Sequence, residues 1–274
     1  MLGVNIKYIA QVGGCRAEQQ YELSSLPVKA IKNVPNMMRF KEAAQFILEI
    51  MPNKNRGEAG VHPKYWLEIK DPKHRDRITL NGLDAQSGAL SAWQKDANCK
   101  IGLFQWIDQH PNVEINALKN KPTYPLSQDV GYVNYLSADQ VADYRVELSK
   151  GEWKAGGKLL DTTHLPGKAG MEGYAAIVIH RDRNIFVHLY EKGKWQHTST
   201  TGGKPVLLAG MIFIEQGRAK SFHLDSGHYM PQRPQLENFF ARLVEEGVNI
   251  GELVIHAKSI PQADISALVT QYSG

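Results

Sequence analysis

The sequence predicts an α+β fold: a helix-rich, irregular N-terminal half, then an antiparallel, barrel-like β-meander with a flanking helix. Three observations carry this. Helical apolar spacing is strong in two segments only, residues 36–50 and the stretch after Pro234. From Tyr144 onward, short apolar runs recur at roughly 8–12 residues between turn-forming residues. No internal repeat or low-complexity tract interrupts the chain.

In the first half, Phe40, Ala43, Ala44, Ile47 and Ile50 share one face of a helix that Asn36 caps and Pro52 closes. Residues 53–60 are a polar, glycine-bearing loop. Tyr65–Ile69, Leu90–Trp93 and Leu103–Ile107 are short apolar pieces, and 108–130, with three prolines, reads as loop. Ala138–Tyr144 is a short helix opening at Ser137, with Gln140 placed to complete a capping box.

Strands follow. Tyr144–Leu148 alternates and turns at Gly151, and Lys158–Asp161 is short. Tyr174–Ile179 and Ile185–Tyr190 form a hairpin about His-Arg-Asp-Arg-Asn, and Glu191–Lys194 turns into a strand over Trp195–Ser199. Val206–Ile214 and Ala219–Leu224 flank a turn at 215–218. In the helix after Pro234, Leu236, Phe239, Phe240, Leu243 and Val244 form one apolar stripe, and Gly247 stops it. Ile250–Ala257 is a last strand and Ile265–Gln271 a short tail helix.

A chain of 274 residues suffices for one large domain, divided here into a helix-rich subdomain (1–135) and a β-rich subdomain (136–274) packed as one unit. Its 42% hydrophobic and 22% charged residues are those of an ordinary globular protein. The net charge of +4 is spread without a basic arm or acidic tail, so there is no nucleic-acid signature. Cys15 and Cys99 make no disulfide framework, which points to a reducing compartment. Neither a signal peptide nor a membrane span is expected. The expected location is the cytoplasm, or a target-cell cytosol reached by a signal-independent route.

Four segments concentrate reactive side chains. In Leu224–Pro231, Ser226, His228 and Tyr229 can form a polar pocket beside Asp225, with Gly227 allowing close backbone approach. A capping turn explains the same residues. In Trp195–Gly203, His197, Thr198 and Ser199 can line a phosphate or sugar pocket, or belong to an edge strand with a Gly-Gly turn. Asp161–His164 sets an acid beside a histidine, or is a plain turn. His74, Arg75 and Arg77 can meet an anion, or lie in a solvated loop. The ten histidines show no zinc-binding spacing, so no metal is expected; no nucleotide-loop or nucleophile-elbow motif occurs either.

In order along the chain come D-P-K-H-R (71–75), F-Q-W-I-D (104–108), Y-R-V-E-L (144–148), G-K-L-L-D-T (157–162) and I-F-V (185–187). W-Q-H-T-S (195–199), L-L-A-G (207–210), S-G-H-Y-M-P (226–231) and E-N-F (237–239) follow. Together they resemble the conserved domain of the plant IQ-motif calmodulin-binding family, the IQM proteins, over residues 37–256. The calmodulin-binding helix I-Q-x-x-x-R-G-x-x-x-R is missing, so calmodulin is not an expected partner. Thr198 and Thr200 depart from the family's H-S-S-F. The S-G-H-Y segment is also similar to segments of some bacterial toxin and effector domains.

The resemblance implies a shared pocket built from His197, Ser199, Ser226, His228 and Tyr229, with Arg75, Thr198 and Asp225 as ligand contacts. The leading expectation is an IQM-like ligand-binding or effector-type domain. The alternative is an NAD-dependent ADP-ribosyltransferase with Glu215 or Asp225 as its carboxylate. A hydrolase using Ser226 or Ser199 with a histidine and Asp161 ranks last, for want of an oxyanion-hole signature.

Overall fold

The computed structural model describes residues 51–62, 101–110 and 133–273 without interruption, and scattered positions besides. The helix expected over 36–50 lies outside the described residues apart from Glu49, as do Cys15, Arg75 and Arg77. The chain divides into two compact units, Pro52–Val61 with 133–274, and the remainder.

In the remainder, the stretch expected as a short buried piece is a helix, Leu103–Gln109, with Trp106 and Ile107 buried. The Trp106 indole donates to Asp96 (2.9 Å), and its ring stacks on His110 at 3.9 Å. Within the 108–130 stretch read as loop, Glu114–Ile115 pairs antiparallel with Tyr124–Pro125.

The other unit begins with α1 (Ala138–Ala142), whose Ser137 and Gln140 form the expected reciprocal cap. Then come β1 (Arg145–Ser149), β2 (Glu152–Ala155), β3 (Lys158–Leu159), β4 (Tyr174–His180), β5 (Ile185–His188), β6 (Val206–Glu215) and β7 (Arg218–His223). They are followed by α2 (Arg233–Glu245), β8 (Val254–His256) and α3 (Gln262–Ser273). The strands make one eight-stranded sheet in the order β8-β7-β6-β4-β5-β1-β2-β3. The α+β class is thereby established, with three departures from a plain meander. β6 pairs with β4 rather than β5, β5 pairs back with β1, and β8 runs parallel to β7.

The pattern of each strand follows its place. Near the edge, β1 alternates exposed and buried residues, with Val146 and Leu148 inward. In the centre, β4 and β5 are buried nearly throughout, because both sheet faces are covered. One face carries the main core. There Ile177, Ile179, Leu208, Ile212 and Phe222 pack with Leu236, Phe239, Phe240 and Leu243 of α2 and Ile265 and Leu268 of α3. Each of the four α2 side chains is wholly buried, contributing about 1.5–3 kcal/mol of transfer free energy. Val244, expected on that stripe, is exposed instead.

Residues 52–61 belong to this unit by specific contacts. Ala59 bridges Val206, and Gln235 and Asn238 of α2 donate to the Gly57 carbonyl. Glu58 is buried, accepting from the Asn53 amide at 2.7 Å and from Arg181 at 2.7 and 2.9 Å.

Candidate functional site

The segment expected as a strand over Trp195–Ser199 is a different structure. Trp195 makes a single bridge to Glu191, and His197–Ser199 is one turn of 3-10 helix. The side chains explain this. The Ser199 hydroxyl accepts from the Gln196 amide (3.0 Å), and the Ser199 amide donates to the Gln196 carbonyl (2.9 Å). A hydroxyl that bonds its own backbone competes with ladder formation. The six polar residues Gln196–Thr201 are all buried, none more than 7% exposed.

Burial on this scale requires partners. His197 Nε2 donates to the Gly210 carbonyl of β6 at 2.8 Å, and burial drives its pKa down to about 3. At pH 7 the ring is therefore neutral, tethered to β6. His188 is likewise buried, its Nδ1 donating to Leu189 O (2.6 Å), and burial lowers its pKa to about 4. The Thr198 hydroxyl and His188 Nε2 have no hydrogen-bond partner among the described residues.

The other segment, 224–231, leads from β7 toward α2. Ser226 accepts from the Tyr229 amide through its hydroxyl (3.4 Å) and from the Met230 amide through its carbonyl (2.8 Å). The turn's left-handed residue is Met230 (φ 44°), not Gly227, whose φ is negative. Tyr229 is buried, and its hydroxyl donates to the Lys204 carbonyl (2.8 Å) and lies 2.6 Å from the Thr201 hydroxyl. Burial pushes its pKa up. The two segments are thus in direct contact, through Thr201 and Tyr229. His228 is buried too, close enough to help lower the pKa of His197.

Asp225 faces outward into an open cleft of about 450 Å³. Lys168, Ala169–Met171, His223, Leu224, His256–Lys258 and Gln262 complete its lining. Lys168 Nζ lies 2.6 Å from Asp225 Oδ2. Burial alone pushes the Asp225 carboxyl up, but the hydrogen bond and charge of Lys168, with smaller help from His197 and Lys258, leave it below the usual carboxylate range. His223 and His256 are registered partners on parallel strands, and their rings stack at 4.1 Å. Partial burial, and then the neighbouring His256, lower the His223 pKa to about 4.

Of the residues expected to share a pocket, Asp225 lines this cleft, while His197, Thr198, Ser199, Ser226, His228 and Tyr229 are buried and do not line it. Glu215 pairs with Arg218 at the opposite end of the β6–β7 ladder from His223. Asp161 accepts from the Thr163 and Gln216 amides, both at 3.0 Å, so its turn is a structural knot. Lys168 and Lys258 were not singled out by the sequence. Its one sign of the cleft is that Ser-Phe-His and Val-Ile-His each end a strand on histidine. No group of three or more metal-ligating side chains occurs among the described residues. Among them, too, no helix is long and apolar enough to cross a membrane.

Residues 141–236 match the family model of the IQ motif-containing protein middle domain. That stretch holds strands β1–β7 and both polar segments, and stops before His256, Lys258 and Gln262. The IQ domain-containing protein IQM3 of Arabidopsis thaliana is 28% identical over 199 residues, 72% of this chain and 40% of that protein. IQM2 of the same plant is 26% identical over 205 residues, 73% of this chain and 32% of that protein. The match therefore spans less than half the length of these relatives. No solved structure matches. The chain resembles the IQM family and carries an IQM-like domain.

Proposed function

We propose that this IQM-like domain is a ligand-binding module whose site is the wall formed where the 195–204 turn meets the 224–231 turn, opening at Asp225. The observation that carries this reading is the Thr201–Tyr229–Lys204 hydrogen-bond bridge. It fixes two polar segments against each other, and the second runs directly into the cleft at Asp225. A site held by buried polar side chains is pre-organised, so little conformational entropy is lost when a ligand enters.

Binding is favoured over catalysis because the two serine hydroxyls are engaged by the backbone of their own turns. Ser199 Oγ serves the Gln196 amide and Ser226 Oγ the Tyr229 amide. An ADP-ribosyl transfer would need a carboxylate, His197 and Ser199 in one cleft, whereas the cleft at Asp225 contains neither of the latter two.

An NMR-monitored screen of small metabolites, NAD among them, tests the reading. The expected result is saturable shifts confined to 168–171, 223–231 and 256–262, with no nicotinamide released from NAD. Nicotinamide release that disappears in His197→Ala would replace the binding module with an enzyme. Absence of saturable shifts from any ligand would overturn binding itself.

A further inference from the structure

We propose that the cleft between residues 168–171 and the carboxyl ends of β7 and β8 binds the phosphoryl group of a small phosphate monoester, gripped by Lys258 and Lys168. The proposal rests on the binding-module reading and names its ligand class.

The first support is charge. Two ammonium groups and one carboxylate line the cleft, and the carboxylate, Asp225, is engaged by Lys168. Lys258 is exposed, and no carboxylate pairs with it among the described residues. The cleft therefore keeps one cation for an incoming anion.

The second support is the imidazole pair. His223 and His256 stand face to face at 4.1 Å because parallel pairing puts them in register at the ends of β7 and β8. Burial and then His256 depress His223. The Tyr174 ring meets His223 edge-on at 5.0 Å, so no acid on that side balances a charged ring. Asp225 is the one carboxylate that favours protonation of His223, opposed by His256, Lys258 and Lys168. A dianion placed between the two lysines reverses this balance and recruits the His223 ring as a donor. A single carboxylate leaves the pair uncompensated, which favours a phosphoryl dianion.

The third support is room. A cleft of about 450 Å³ lies within the range of about 300–1,000 Å³ typical of small-molecule sites. It holds more than a bare phosphate, so an organic group fits beside the anion.

The experiment titrates the whole chain by NMR and calorimetry with inorganic phosphate, phenyl phosphate and neutral phenol at constant ionic strength. We expect phenyl phosphate to shift the signals of His223, Asp225 and Ala257 and to bind at least about tenfold more tightly than inorganic phosphate, with phenol weaker still. Lys258→Met, at an exposed position, weakens phenyl phosphate by about tenfold or more without changing phenol binding. Lys168→Met does the same and also frees Asp225. Equal affinity for inorganic phosphate and phenyl phosphate overturns the organic ligand. No saturation by either up to about 50 mM overturns the anion site. If neutral metabolites still bind the 224–231 wall in that case, the module reading survives and this proposal alone falls; if nothing binds, both fall.

Discussion

Acid should destabilise this fold well above the pH at which carboxylates titrate, and the cause is the pair His188 and His197. Both are buried, and burial holds their pKa values at about 4 and about 3, against 6.5 for a free imidazole. The folded pKa lies below the unfolded one, so the unfolded chain takes up the protons first as pH falls. The associated stability is fully present above about pH 6.5 and is lost progressively as pH falls toward about 4 for His188 and about 3 for His197. At pH 5 an unfolded imidazole of pKa 6.5 is almost wholly protonated while the buried rings remain neutral, which costs the folded state about 2 kcal/mol per ring relative to pH 7. Together the two amount to about 4 kcal/mol, a large share of the roughly 5–15 kcal/mol that holds a typical domain folded. His180 and His223, each lowered chiefly by burial to about 4, act in the same direction. The depressed carboxylates Asp225 and Asp161 titrate below this window, so pH 7 to pH 5 isolates the histidines.

Urea denaturation at pH 7, 6 and 5, followed by tryptophan fluorescence, to which wholly buried Trp153 contributes, measures the effect. His188→Gln keeps a donor for the Leu189 carbonyl and removes one titration, so its pH slope should be about 1 kcal/mol per unit shallower. A loss below about 1 kcal/mol between pH 7 and pH 5 in the parent protein would refute the reasoning. So would imidazole signals from His188 or His197 that titrate near 6.5.

Tyr229→Phe deletes the hydroxyl shared with Thr201 and Lys204, and should cost about 1–3 kcal/mol in denaturation midpoints while loosening residues 198–204 in hydrogen exchange. Gly210→Ala would place a methyl carbon 2.6 Å from the His223 carbonyl oxygen and 2.6 Å from the Phe222 ring. Overpacking at a backbone atom should cost about 2 kcal/mol or more, visible as a lower melting temperature. Arg181→Ala strands the buried Glu58 carboxylate; because Arg181 is itself 40% exposed, a loss of about 1–3 kcal/mol is expected, largely rescued by adding Glu58→Gln. Gly167→Ala, at φ +63° with its added carbon 1.9 Å from the Met171 carbonyl oxygen, should displace the loop carrying Lys168 and weaken anion binding in calorimetry while leaving α2 protected from exchange.

Local chemistry was legible in the sequence wherever one segment decides its own structure. The reciprocal cap of Ser137 and Gln140, the hairpin of β4 and β5 and the core face of α2 all follow from spacing and turn residues. Long-range pairing was not. Trp195–Ser199 has good strand formers, yet its hydroxyls bond their own backbone and the segment lies buried as a turn, its histidine anchored on β6. Likewise, nothing local announces that Asp225 meets Lys168, or that His223 and His256 become registered neighbours.

The sequence by itself determined the α+β class, most of the strands, the second helix and the resemblance to IQM proteins, because periodicity, caps and motif order are properties of contiguous residues. Tertiary structure alone decided which polar residues face a cleft and which are locked inside. That choice depends on strand order and parallel register, which are set by packing between segments far apart in the chain. The H-T-S and S-G-H-Y segments do touch, through Thr201 and Tyr229. The groups open to an incoming molecule are Asp225, two lysines and a histidine pair that no single stretch of sequence brings together.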